Sequence, residues 1–167
     1  LPVVGIEPSC LLTFSDEYQT LKKVKNREKI KNKFYLLEEF ILERIKNDNM
    51  IKKSNLDQNV LIHGHCHQKS QDRMKGLTNL LSELNIKNKM IESSCCGMAG
   101  SFGYDSKNYE VSKKMANLSL IPAINNSNEK DFIIANGTSC RHQISDLSEK
   151  KGKHVAELLF KIFETVN

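Results

Sequence analysis

The sequence predicts an α/β fold, a mainly parallel sheet with helices on both faces and its cysteines at the C-terminal strand edge. Three observations predict it. Short apolar runs alternate with longer stretches whose apolar residues recur at helical spacing, which is the pattern of strand–helix–strand units. A chain of 167 residues, 39% hydrophobic and 27% charged, has the length and composition of one globular domain with its own core. Every cysteine falls a few positions beyond a strand-like run, and in a parallel sheet all such strand ends lie along one edge.

Taken in order, "PVVGI" (2–6) reads as a buried strand. Residues 15–47 place Leu21, Val24, Ile30, Phe34, Leu37, Ile41 and Ile45 at near-helical spacing, as one helix or two. "NVLIH" (59–63) is a second strand, and residues 70–85 form a helix with Ser70 as its N-cap. "KMIES" (89–93) is a third strand. Residues 106–121 form a helix that ends near Pro122, because proline cannot donate within a helix. "DFIIAN" (131–136) is a fourth strand, 139–147 a short helix, and 154–166 an amphipathic closing helix. The stretch 125–131 is the most loop-like.

No apolar run approaches the roughly 20 residues that cross a membrane. The opening residues carry neither a basic start nor a cleavable apolar segment, so they do not read as a signal peptide. They also lack an initiator methionine, and the chain reads as cut from something longer. The expected location is cytoplasmic, at most peripheral at the inner face of the membrane. The formal net charge is +5, with the densest basic stretch at residues 22–33. That stretch reads as the solvated face of a helix with Leu21, Val24 and Ile30 turned inward. It does not read as a nucleic-acid surface, since no aromatic residues interleave with the charges.

Five cysteines, Cys10, Cys66, Cys95, Cys96 and Cys140, are an odd number in a chain that is neither small nor loop-rich. A disulfide framework is therefore not expected, and reduced thiolates serving a metal or a redox function fit better. Convergent thiolates suit zinc or an iron–sulfur cluster. The adjacent pair Cys95–Cys96 can reach neighbouring irons of a multinuclear centre but is awkward around one zinc, whose cysteines usually come as C-x-x-C. A strained vicinal disulfide is a third option. Gly97, Gly100 and Gly103 follow the pair. Lacking a Cβ, they would let backbone close over a cluster and aim N–H groups at sulfur. Their spacing is not the dinucleotide fingerprint.

The runs "HGHCHQ", "CCGMAGSFGY" and "GTSCRHQI", in that order, resemble the cysteine-rich CCG domain found in the iron–sulfur parts of flavin-linked dehydrogenases. The resemblance extends from about Val3 to the last helix. It is strongest to the C-terminal part of long proteins that join an FAD-binding oxidase domain to an iron–sulfur domain and oxidise D-2-hydroxy acids. Related chains are the iron–sulfur subunits of glycolate oxidase and anaerobic glycerol-3-phosphate dehydrogenase, and heterodisulfide reductase. The resemblance implies a single CCG-type domain over 1–167, the C-terminal fragment of a longer protein. It implies Cys66, Cys95, Cys96 and Cys140 as thiolates of a four-iron four-sulfur cluster, with Cys10 resembling the last cysteine of a preceding copy of the pattern. Where the family pattern ends in C-x-x-C, this chain has Gln143, so a five-thiolate cluster would need Cys10 as its fifth.

His63 and His67 match the family's histidines around Cys66, and His65 looks additional. They could hold the cofactor, relay protons or orient a quinone-like acceptor, or simply be hydrogen-bonded at a strand end. His142 stands near Cys140, His154 precedes the last helix in a structural position, and Arg141 could attract an anion or remain in solvent. The expected function is electron relay from the FAD of an absent flavin domain or subunit to a quinone or other redox carrier. Gly97, Gly100, His63 and His67 would line the cofactor. No residue is catalytic toward substrate, and the domain alone should have no dehydrogenase activity. The rival readings are a zinc-holding structural or partner-binding module and a thiol–disulfide redox domain.

Overall fold

A computed structural model of the chain describes residues 1–21, 29, 32–48 and 56–164. It opens with β1 (Val3–Gly5), α1 (Pro8–Ser15) and α2 (Glu17–Thr20). β2 (Phe34–Leu36) runs directly into α3 (Leu37–Asp48). Next come β3 (Val60–His63), α4 (Cys66–Ser70), α5 (Met74–Glu83) and β4 (Asn88–Met90). A loop containing a 3-10 turn at Phe102–Tyr104 leads to α6 (Tyr109–Leu118) and α7 (Leu120–Asn125). β5 (Phe132–Ala135), α8 (Thr138–Leu147), β6 (Gly152–Lys153) and α9 (Val155–Glu164) follow.

Four strands pair in parallel in the order β4–β3–β5–β6, while β1 and β2 form a separate parallel pair. The chain steps outward from β3 to β4, then crosses back to β5 on the other side of β3. β3 and β5 are thus the strands between which the winding reverses, where α/β sheets open a crevice beyond their carboxyl ends. Their register pairs Val60 with Phe132 and His63 with Ala135, so the two strands end side by side.

The period-two alternation of the strands distributes the core over both faces of this sheet. Val60, Ile62 and Ile134 join Leu77, Leu80 and Leu81 of α5 and Leu158 and Ile162 of α9 in one buried cluster. Leu61, Ile133 and Ala135 face the other way, toward Ala116 of α6, Leu120 and Ile124 of α7, and Ile144 of α8. A smaller cluster, Leu11, Leu12 and Leu36, sits under β1 and β2.

Several local expectations are corrected. Phe34–Leu36 lies inside the stretch expected to be helical but is a strand, because its aromatic, β-prone residues pair with β1. Leu21, expected to face inward, is 50% exposed. Val24 and Ile30 lie outside the described residues, as do 22–28 and 31. The helix expected over 70–85 is two helices, with Asp72 between them at φ 53, a left-handed conformation that ends a helix. Ser70 is not a cap but the last residue of α4, its hydroxyl donating to the His67 carbonyl at 3.0 Å. The helix before Pro122 ends earlier, at Leu118, where Ser119 turns to φ −153. Pro122 itself sits in the first turn of α7, where its missing N–H is not needed. β6 was not anticipated, since two residues are too few to carry a period.

Candidate metal centre

The residues singled out in the sequence enter the structure from three segments. Cys66 is the first residue of α4, three positions beyond the end of β3. Cys140 is the third residue of α8, five positions beyond β5. Cys95 and Cys96 stand in the loop between β4 and the 3-10 turn.

The thiols meet. Cys96 Sγ and Cys140 Sγ are 3.3 Å apart, and both residues are buried. The contact with Cys140 lowers the pKa of Cys96 in opposition to its burial, and the His63 ring and the Met98 N–H act in the same direction as that contact. The same contact, followed by burial, pushes Cys140 up. The contact thus pushes Cys96 toward thiolate and Cys140 toward thiol. Cys66 is more exposed; burial and then the charges of Cys95 and Cys96 raise its pKa, so it lies within electrostatic reach of both. Cys95 Sγ accepts the Gly97 N–H at 3.2 Å. Cys10 is an exposed residue on α1 and no member of the converging group formed by His63, Cys96 and Cys140.

The glycines behind the pair differ in what they do. Gly97 has φ 91, and a Cβ there would run into the Ser112 carbonyl oxygen on α6. Gly100 has φ 67 but open space around its Cα, so conformation alone accounts for it and no backbone closes over it. Gln143, which replaces the expected last cysteine, is 2% exposed and points away from a ligand role. Its Nε2 donates to the Cys96 carbonyl at 2.9 Å, the Ser112 carbonyl at 3.2 Å and Ser112 Oγ at 3.0 Å. It pins the cysteine loop to α6.

Of the histidines, His63 is 2% exposed, with Nδ1 2.8 Å from Ser93 Oγ and Nε2 without a hydrogen-bond partner. One of its ring nitrogens lies with Cys96 Sγ and Cys140 Sγ in a set of atoms all within 4.8 Å of one another. His65 caps α4, its Nδ1 accepting the His67 N–H at 3.2 Å, and burial lowers its pKa. His65 also feels the Cys96 charge and touches the space a Cβ at Gly137 would take, so the residue that looked additional lies nearer the thiols than expected. His67 instead faces Glu17, 3.8 Å from its carboxylate. His142 meets Tyr104 Oη at 2.6 Å on the surface. His154 accepts the Ala156 N–H on Nδ1 at 3.0 Å, so Nε2 carries the proton and donates to the Ile6 carbonyl at 2.7 Å. Arg141 neither faces the thiols nor rests in solvent, for its guanidinium closes on the Ala135 and Asn136 carbonyls and Thr138 Oγ1.

Sequence reading missed a buried carboxyl beneath this site. Glu38 of α3 is 1% exposed, and its Oε1 accepts from Gln68 Nε2 at 2.7 Å and Asn136 Nδ2 at 3.0 Å. Burial raises its pKa to about 7. Gln68 follows Cys66 by two positions and Asn136 follows β5, so the network ties together the two segments that bear Cys66 and Cys140. Nothing in "LLEEF" distinguishes Glu38 from a surface glutamate. Ser93, which fixes His63, was likewise read only as the end of a strand.

A parallel α/β domain that gathers two buried thiols and a buried imidazole, with two further thiols in electrostatic reach, belongs to the class of cysteine-rich, metal-binding domains. The chain is a member of the CCG family, the cysteine-rich domain whose pattern matches residues 60–145. It is similar to oxidoreductases. One is a D-2-hydroxyglutarate dehydrogenase of Pseudomonas putida, 23% identical over 163 residues, 96% of this chain and 15% of that protein. Another is the D-2-hydroxyglutarate dehydrogenase of Escherichia coli, 24% identical over 168 residues, 98% of this chain and 16% of that protein. A third is one of the subunits of the anaerobic glycerol-3-phosphate dehydrogenase of Escherichia coli, 22% identical over 160 residues, 95% of this chain and 40% of that protein. The chain thus spans less than half the length of each. No solved structure matches significantly. Among the described residues, no helix is long and apolar enough to cross a membrane.

Proposed function

We propose that this domain holds an iron–sulfur cluster on Cys66, Cys95, Cys96 and Cys140 and relays electrons within a larger flavin-linked 2-hydroxyacid dehydrogenase. The observation that carries the reading is the buried contact of Cys96 and Cys140, 3.3 Å apart with His63 beside them, and the presence of Cys66 and Cys95 within electrostatic reach. The donor set fits such a centre. The contact within the buried pair favours the Cys96 thiolate, and the Gly97 and Met98 N–H groups are directed at sulfur. Backbone N–H groups at sulfur raise a cluster's reduction potential. When bound, the cluster would accept electrons one at a time from FAD elsewhere in the protein and pass them to a quinone or other carrier. The chain's own part is to hold thiolates, shield them from water and set their electrostatics. The four-iron four-sulfur type, the flavin partner, the cytoplasmic site and a role for Cys10 in a neighbouring cluster belong to this proposal.

A second reading is a single zinc ion in a structural or partner-binding module. The compactness of the His63, Cys96 and Cys140 donor atoms, all within 4.8 Å, favours it. Anaerobic reconstitution with iron and sulfide separates the two. The electron-transfer reading expects broad visible absorption that bleaches with dithionite and is lost in Cys95→Ser and Cys96→Ser. A colourless protein that retains stoichiometric zinc and refuses iron overturns it.

A further inference from the structure

We infer that His63 is a direct ligand, its Nε2 holding one metal ion of the centre jointly with the Cys96 and Cys140 thiolates. This rests on the metal-centre reading above and deepens it. Leaving a buried polar atom unpaired is costly, so a buried imidazole normally has both nitrogens engaged. In His63, Ser93 Oγ meets Nδ1 at 2.8 Å, while Nε2 has no hydrogen-bond partner of good geometry and the ring acts on the Cys96 sulfur beside it. Yet a ring nitrogen of His63 shares with Cys96 Sγ and Cys140 Sγ a space in which all three atoms lie within 4.8 Å. With metal–sulfur bonds of about 2.3 Å and metal–nitrogen bonds of about 2.0 Å, donors around one tetrahedral ion stand roughly 3.5–3.8 Å apart. Three donors placed this way suit one ion between them.

The orientation of the ring is built in. His63 closes β3, and the ladder to Ala135 of β5 fixes its backbone. In the ligating tautomer Nδ1–H donates to Ser93 Oγ and the Nε2 lone pair is free, the arrangement by which outer partners set a ligating histidine. Ser93 is itself anchored, since Lys69 Nζ donates to its carbonyl and to that of Ser94. In a regular four-iron cube each of four cysteines serves its own iron. Two thiolates and an imidazole on one ion instead mark a centre with one chemically distinct metal. An uncharged imidazole in place of a thiolate also raises the reduction potential, as in two-histidine [2Fe–2S] centres. His67, whose Nδ1 is likewise unpartnered, is outside this converging set.

The test uses protein carrying 15N-labelled histidine, reconstituted anaerobically with ferrous iron and sulfide, reduced with dithionite and read by pulsed EPR. Expected is a strongly coupled histidine nitrogen that persists in a His65→Gln, His67→Gln double variant and disappears in His63→Gln. His63→Cys should keep the centre and lower its midpoint potential. The wild-type spectrum decides the matter even if a His63 variant fails to fold. A centre that forms without a strongly coupled nitrogen, or whose coupling is lost in the double variant, overturns the ligand assignment alone. A protein that takes up neither iron nor sulfide overturns the iron–sulfur reading. The assignment is then read from cobalt(II) loading, where the absence of a cobalt-shifted His63 resonance overturns it as well.

Discussion

Glu38 is the residue whose chemistry departs furthest from its surface neighbours. It is buried among Gln68 and Asn136, and burial raises its pKa from 4.5 to about 7. A carboxyl whose folded pKa exceeds its unfolded value binds its proton more tightly when folded. Its contribution to stability is therefore complete below about pH 4.5 and declines as pH rises toward 7. That window corresponds to about 3 kcal/mol. Glu38→Gln keeps an oxygen for both amide donors and removes the charge. The variant should match wild type in urea unfolding near pH 4 and exceed it by up to about 3 kcal/mol at pH 8. Gly97 gives the opposite case, a residue that tolerates nothing larger. Gly97→Ala places a side chain at φ 91 against the Ser112 carbonyl. It should lower stability by roughly 1–3 kcal/mol or more in thermal unfolding and reduce metal uptake. At this scale the sequence was informative where chemistry is rare: cysteines, adjacent histidines and a glycine triplet stand out by type. Glu38, Ser93 and Gln143 did not, because their roles depend on burial and partners that come from distant segments.

At the scale of elements, α8 unites several of the site's supports. It carries Cys140, supplies Gln143 to hold the cysteine loop, and begins beside the Asn136 that binds Glu38. Gln143→Ala would leave the Cys96 and Ser112 carbonyls without this donor. It should cost about 1–3 kcal/mol in chemical unfolding and weaken metal affinity, while the secondary structure by circular dichroism stays unchanged. Gln143→Glu is the sharper comparison, because a carboxylate facing two carbonyls is repelled and should cost more than alanine. The elements themselves were largely legible. β3, β5 and α9 declare themselves through runs of Val, Ile and Leu whose spacing matches their buried faces. What escaped was local: the break at Asp72 and the helix-to-strand change at Phe34 depend on backbone conformation and on a pairing partner some thirty residues away.

For the whole molecule, the division into two sheets of unequal size implies unequal stability. The four-stranded sheet is covered on both faces by large apolar clusters, whereas among the described residues β1 and β2 rest on a small cluster of Leu11, Leu12 and Leu36 with Phe34 against it. Val3, Val4 and Ile6 of that smaller unit are substantially exposed, at 46%, 39% and 61%. Native-state hydrogen exchange should show amides of Leu12 and Leu36 opening at clearly lower free energy than those of Ile62 and Ile134. Equal protection in the two groups would mean that the small sheet is held by more than its own core. One candidate for such a hold is visible. Between β1 and α1, the Ile6 carbonyl accepts from His154, and the Glu7 carboxylate accepts the Thr138 N–H and hydroxyl at 2.9 Å and 2.8 Å. Burial opposes the charge on Glu7, but the two Thr138 bonds prevail and keep its pKa low. Thr138 opens the helix that carries Cys140 two residues later. The chain's first turn is in this way latched mechanically to the base of a thiolate. A displacement of β1 that breaks these bonds is therefore expected to be felt at Cys140.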